Sequence, residues 1–134
     1  MNIGPKSCLG LWAWLRCREN RRLTRGFGAS QKVPKSELEK IYHEYFAFTD
    51  GIKDSGQYLG SNRLQPVSTA TTVRVRNGKL STTDGPYAET KEQLGGYYLV
   101  EARDLNEAIQ IAAKIPSARF GSIEVRPIWE VQQP

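Results

Sequence analysis

Asp84, Tyr87, Glu89, Lys91 and Glu92 fall within nine residues of one another in the glycine-punctuated stretch DGPYAETKEQLGG. Carboxylates on a loop that a sheet holds in place are candidates for general acid–base work. Asp84 is the first choice for proton transfer or for orienting a substrate. The competing reading is that Asp84 opens an Asp-Gly turn and bonds its own backbone. Tyr87 can donate a hydrogen bond to a substrate oxygen, or pack as an aromatic beneath the loop. Asp84 and Tyr87 are thus the candidate catalytic pair. Glu89, Lys91 and Glu92 read as solvated or ion-paired.

Glu124 and Arg126 share one face of an alternating segment near the end of the chain. Charges on an inward sheet face must be paired or used. Arg126 can hold an anionic substrate group with Glu124 orienting it; the alternative is a salt bridge, cross-strand or between subunits. Arg74 and Arg76 read as solvent-exposed strand residues. His43 is the one histidine, and the angular count puts it nearly opposite the apolar stripe of its helix. With His43 facing away, neither a serine nor a cysteine nucleophile has a base. Ligands of suitable type and spacing for a metal are missing. No cofactor is expected, because Gly95-Gly96 precedes a strand rather than a helix and does not resemble a phosphate-cradling loop. That glycine pair is expected to make a sharp turn into the strand.

The elements that must position these residues follow from periodicity. Ser36 to Glu39 fits a capping box, and Leu38, Ile41, Tyr42, Tyr45, Phe48, Thr49 and Ile52 then recur at helical spacing, with Gly56 placed to end the helix. A short strand runs from Tyr58 to Leu64, and Pro66 stops it. Thr71 to Arg76 alternates, Asn77-Gly78 signals a type I′ turn, and Lys79 to Thr83 returns. Asp84 to Gly96 reads as a loop with one helical turn capped by Thr90. Tyr97 to Arg103 reads as a buried strand. Asp104 to Glu107 caps a second helix whose stripe is Leu105, Ala108, Ile109, Ala112 and Ile115, ended by Pro116. Ser122 to Val131 is the last strand, with Ile123, Val125, Pro127 and Trp129 alternating against Glu124, Arg126 and Ile128. Two helices over an antiparallel sheet make an α+β domain. One more strand before the first helix makes it a ferredoxin-like split βαβ with an inserted hairpin. The first strand is the open point.

The chain has 134 residues and a net charge of +5, and the charge is uneven. Residues 1–32 hold seven bases and one acid, whereas residues 33–134 carry −1. A basic arm on a near-neutral domain is weaker support for a polyanion site than a basic domain face. Cys8 and Cys17 lie in the same arm as Trp12 and Trp14, match no zinc spacing, and read as reduced thiols of a cytoplasmic protein. The arm does not follow a secretory pattern, since arginines stand where a small-residue cleavage site belongs. No apolar run is long enough for a membrane span. The division read from composition is an atypical basic arm over 1–32 and a globular domain over 33–134. Either Leu9 to Leu15 supplies the first strand through a linker of roughly twenty residues, or the arm is disordered or non-native, as a shifted reading frame would make it.

The run TDGPYAETKEQLGGYYLVEARDLNEA over 83–108, with TATTVRVRNGK before it and GSIEVRPI after it, closely resembles the DGPF branch of the YCII-related family. The likeness covers roughly residues 33–131. It implies a ferredoxin-like fold that pairs as a dimeric α/β barrel, usually in bacteria, and a pocket beside the DGP motif on the open sheet face. It implies no single reaction; some relatives act on lactone-type metabolites. Tyr87 replaces the phenylalanine of the motif and adds a phenol to the ring. Family members begin almost at once with an apolar strand, and this chain begins differently.

Three functions follow. The first is a homodimer with a small-molecule pocket formed by Asp84, Tyr87, Glu124 and Arg126, acting by proton transfer on a carbonyl or lactone-like metabolite. The second is a non-catalytic dimeric interaction or regulatory module with a protein partner. The third, ranked last, is nucleic-acid binding through the arginines between 16 and 25.

Overall fold

The computed structural model describes the backbone of residues 7–16 and residues 34–90 and 92–129. Cys17, the arginines at 18, 21, 22 and 25, Lys91 and Val131 lie outside the described residues, as do the side chains of Cys8, Trp12 and Trp14. The chain is mixed α+β. Strand β1 (Ser7–Arg16) precedes helix α1 (Lys35–Asp54) and strand β2 (Tyr58–Arg63). The hairpin β3 (Thr71–Arg76) and β4 (Lys79–Asp84) follows, then β5 (Glu92–Ala102), α2 (Leu105–Ala113) and β6 (Ser122–Pro127). Four strands form one antiparallel sheet in the order β2-β5-β1-β6, and β3-β4 form a second sheet of their own. That order is compatible with a ferredoxin-like fold carrying an inserted hairpin. The segment Leu9 to Leu15 lies inside β1, between β5 and β6, with Leu11 opposite Tyr98 on one side and Val125 on the other. No helix among the described residues is long and apolar enough to cross a membrane.

The core lies between the four-stranded sheet and the two helices. Val100 and Ala102 of β5 meet Ile52 of α1 and Ala108, Ile111 and Ala112 of α2, with Ile115 just beyond that helix. Ile123 and Val125 of β6 pack against the same cluster, so alternation sends Glu124 and Arg126 to the opposite face.

Several sequence expectations are corrected. Ser36 does not cap α1: the helix starts at Lys35 with Pro34 at its N-cap, and the Pro34 carbonyl receives the Glu37 and Leu38 amides at 2.9 and 3.2 Å. The fixed φ of proline already sets the chain into the helix. The helical turn at Thr90 is absent, because β5 begins at Glu92 rather than Tyr97. Its first residues find backbone partners in β1, Glu92 opposite Arg16 and Gln93 opposite Leu15. Gly95-Gly96 therefore sits inside a strand, not at a turn. The buried stripe of α2 is Ala108, Ile111 and Ala112, continued by Ile115, while Leu105 and Ile109 are exposed. Both stripes have helical spacing, and contact with β5 and β6 selects the one that includes Ile111. Strand β6 ends at Pro127, short of the expected Val131. Arg74 is half-buried rather than exposed, although Arg76 is exposed.

Candidate functional site

The Asp-Gly-Pro turn is built by local conformation and two hydrogen bonds. Strand β4 ends at Asp84, which pairs with Thr71 across the hairpin. Gly85 takes φ +99°, a conformation open to glycine and strained for other residues. Its amide donates to the Ala70 carbonyl at 2.7 Å, and its carbonyl accepts from Thr72 Oγ1 at 2.8 Å. The chain leaves the hairpin in a fixed direction at this point, and Pro86 and Tyr87 follow.

A cavity of about 370 Å³ lies against this turn. Pro66 and Val67 from the β2–β3 connection, Pro86 and Tyr87 after the turn, and Gln93 and Leu94 of β5 form its walls. Thr69 and Thr90 add hydroxyls, and no charged side chain lines it among the described residues. Such a site suits a neutral, mostly apolar ligand held by a few hydrogen bonds. Tyr87 lines the cavity and remains 77% exposed. Asp84 is exposed at the end of β4 and does not line it.

Glu124 and Arg126 stand two positions apart on β6 and form an ion pair with each other. They line no part of the cavity. The four site residues read from the sequence are thus found in separate places: Tyr87 at the cavity, Asp84 at the strand end before it, and Glu124 with Arg126 on β6. Glu89 is exposed. Glu92 is half-buried at the start of β5, where its carboxylate accepts from Ser122 Oγ at 3.4 Å. His43 is exposed on α1.

Periodicity did not single out Gln93, Leu94, Pro66 or Val67. Their meeting depends on β2 pairing with β5, which the Leu64 amide extends by donating to the Gly95 carbonyl at 2.9 Å. The only local signal for that approach was the Gly95-Gly96 pair.

Tyr98 ties β5 to α1 on the helix side. Tyr98 contacts Thr49 and lies edge-on to Phe48, with centroids 5.2 Å apart. Burial pushes the Tyr98 phenol above its ordinary value of 10.0, and its hydrogen bond to Thr49 offsets part of that rise. Burial also raises Tyr45, tempered by contact with Ser117. Ser117 is fully buried, and its Oγ makes no hydrogen bond of good geometry although the Tyr45 phenol stands beside it. A larger groove of about 710 Å³ runs between α1 and α2. Glu44 and Arg119 on its lining are paired with each other, so these charges are already engaged.

Comparison with known proteins adds to this geometry. The chain is 38% identical over 96 residues to Uncharacterized protein R00369 of Rhizobium meliloti (strain 1021), a match spanning 70% of this chain and 77% of that protein. The sequence profile of the YCII-related domain matches residues 27–132, which include the hairpin, the DGP turn, the cavity and β6. The chain belongs to the YCII-related family.

Proposed function

We propose that this protein belongs to the DGPF-motif branch of the family and binds a small metabolite in the cavity beside the DGP turn. Proton transfer on a carbonyl or lactone-like group is the chemistry proposed there. The observation that supports this reading is the cavity itself, walled by Pro86 and Tyr87 immediately after a turn that Gly85 and Thr72 hold in place. Tyr87 hydrogen-bonds a ligand oxygen. Asp84, two residues before Pro86, is the proposed proton carrier, which requires it to reach a ligand at the cavity mouth. The working form is a homodimer of the dimeric α/β-barrel type in the bacterial cytoplasm, its open sheet faces turned toward each other. In that arrangement the Glu124–Arg126 pair faces the enclosed space outside the cavity, where Arg126, oriented by Glu124, meets an anionic end of a metabolite whose neutral part occupies the cavity.

A thermal-shift screen of a metabolite library tests the pocket, because ligand binding raises apparent stability without a reaction having to be guessed. The expected result is a stabilising compound whose effect disappears in Tyr87→Ala, with conversion of that compound lost in Asp84→Asn. A cooperatively melting protein that no compound stabilises, or hits indifferent to Tyr87→Ala, would overturn the pocket.

A second reading, a non-catalytic interaction or regulatory module, draws on one observation: no carboxylate lines the cavity among the described residues. Binding that survives in Asp84→Asn, with no conversion of the ligand by wild type, favours it.

A further inference from the structure

The cavity beside the DGP turn offers a ligand more hydrogen-bond acceptors than donors. Thr69 and Thr90 both line it. A threonine hydroxyl has one proton and two lone pairs. Thr69 Oγ1 donates its proton to the Pro66 carbonyl at 2.8 Å, and the same carbonyl accepts the Thr69 amide at 2.9 Å. Thr90 Oγ1 donates its proton to the Glu92 carbonyl. Both protons are spent within the protein, so each hydroxyl can only accept from a ligand. The bonds to backbone also hold the two oxygens in place. Both threonines are open to solvent, and an entering ligand replaces water at their lone pairs.

Gln93 is the third polar side chain on the lining. It is half-buried in β5, and its amide has no hydrogen-bond partner among the described residues. It can donate through Nε2 and accept through Oε1. No charged side chain lines the cavity among the described residues.

We infer that the cavity selects a ligand that carries both a neutral carbonyl and a hydroxyl, as a hydroxy-lactone or hydroxy-ketone does. The carbonyl oxygen accepts from Gln93 Nε2, and the ligand hydroxyl donates to Thr69 or Thr90. A plain lactone or ketone brings acceptors only. It would strip water from the threonine oxygens and return no proton, which leaves covered acceptors unpaired. A carboxylate in the cavity would add a charge with no partner. Gln93, Thr69 and Thr90 are thereby specificity-determining residues. The inference rests on the reading of this cavity as the ligand site and adds the class of ligand.

Ligand-observed NMR titration of the full chain tests it with two matched pairs: α-hydroxy-γ-butyrolactone against γ-butyrolactone, and 2-hydroxycyclohexanone against cyclohexanone. The hydroxylated member of at least one pair should bind about tenfold tighter or more, the discrimination expected when a site lined to receive a hydroxyl meets an analogue lacking it. In the double variant Thr69→Val with Thr90→Val the two members should bind alike, and serine at both positions should restore the preference. Gln93→Leu should weaken both members and keep their ratio. Should a variant fail to fold, the wild-type ratio alone decides. Pairs that bind equally well in wild type, with binding lost in Tyr87→Ala, overturn the selectivity and leave the pocket standing. A hydroxyl preference that survives in the folded double variant overturns the role of the threonines. Binding indifferent to Tyr87→Ala overturns the inference and the pocket together. If none of the four probes binds, the inference fails, and the pocket stands or falls by the library screen.

Discussion

Tyr98 Oη of β5 lies 2.9 Å from Thr49 Oγ1 of α1. The Thr49 hydroxyl has one proton, and it is donated to the Tyr45 carbonyl at 2.7 Å. Tyr98 is therefore the donor to Thr49. Helix and sheet are joined by a polar link whose direction is set within the helix.

Thr49→Val removes the acceptor and leaves the Tyr98 hydroxyl half-buried without it. The expected cost is ~1–3 kcal/mol in chemical denaturation. Tyr98→Phe deletes the donor and costs less, about 1 kcal/mol, since no orphan is left behind. In the double variant the two losses should fall short of their sum. Additive losses would mean that the bond contributes nothing.

Alkaline pH should destabilise the fold through Tyr45 and Tyr98. Both phenols are raised above 10.0 by burial, so the unfolded chain releases their protons first. Their contribution is fully present below the unfolded value and is lost as pH rises through the folded one. Absorbance titration should show Tyr45 and Tyr98 ionising late, a signal that weakens in Tyr98→Phe. Tyr98→Phe should flatten the loss of stability with pH above about 10.

Two glycines should respond in opposite directions. A Cβ at Gly96 would stand 2.8 Å from the Asn62 carbonyl oxygen of β2, closer than real contacts allow. Gly96→Ala should cost about 1–3 kcal/mol and loosen β2 from β5. Gly51, inside α1, has nothing within 4 Å of its Cβ position. Gly51→Ala should stabilise by about 0.5–1 kcal/mol, seen as a higher denaturation midpoint.

Helix α2 depends on a reciprocal cap. Asp104 Oδ1 accepts from the Glu107 amide at 2.8 Å, and Glu107 Oε2 accepts from the Arg103 amide at 2.6 Å. Asp104→Ala should cost ~1 kcal/mol, and Asp104→Ser should recover most of it. Equal losses in both variants would show that the side-chain oxygen is not what matters.

Those features legible in the sequence share one property: their causes lie within a few residues. Asp104 and Glu107 carry their own cap, and the structure has it. Asn77-Gly78 prescribes a turn by backbone conformation alone. The alternation of Ile123 and Val125 with Glu124 and Arg126 sorts β6 into two faces before any partner is known. Gly56, at φ +72°, stands just past the end of α1, as its spacing from the helix suggested.

Where distant segments compete, sequence reasoning could not choose. Ala108, Ala112 and Ile115 are buried as their spacing suggested, but either Leu105 with Ile109 or Ile111 could complete that stripe, and the surface of β5 and β6 selects Ile111. Strand β5 begins at Glu92 because β1 offers backbone partners that early, which propensity in a Gly-rich segment does not reveal. Gly96 reads as a turn residue until β2 is laid beside it. The cavity joins Pro66, Tyr87 and Gln93 from three segments that share no pattern. Short-range signals thus determined the turns, the cap and the two-faced strands, because their energetics close within a turn or a strand pair. Tertiary packing decided which faces are buried and which residues meet at the DGP turn, because burial is a property of two surfaces and neither alone contains it.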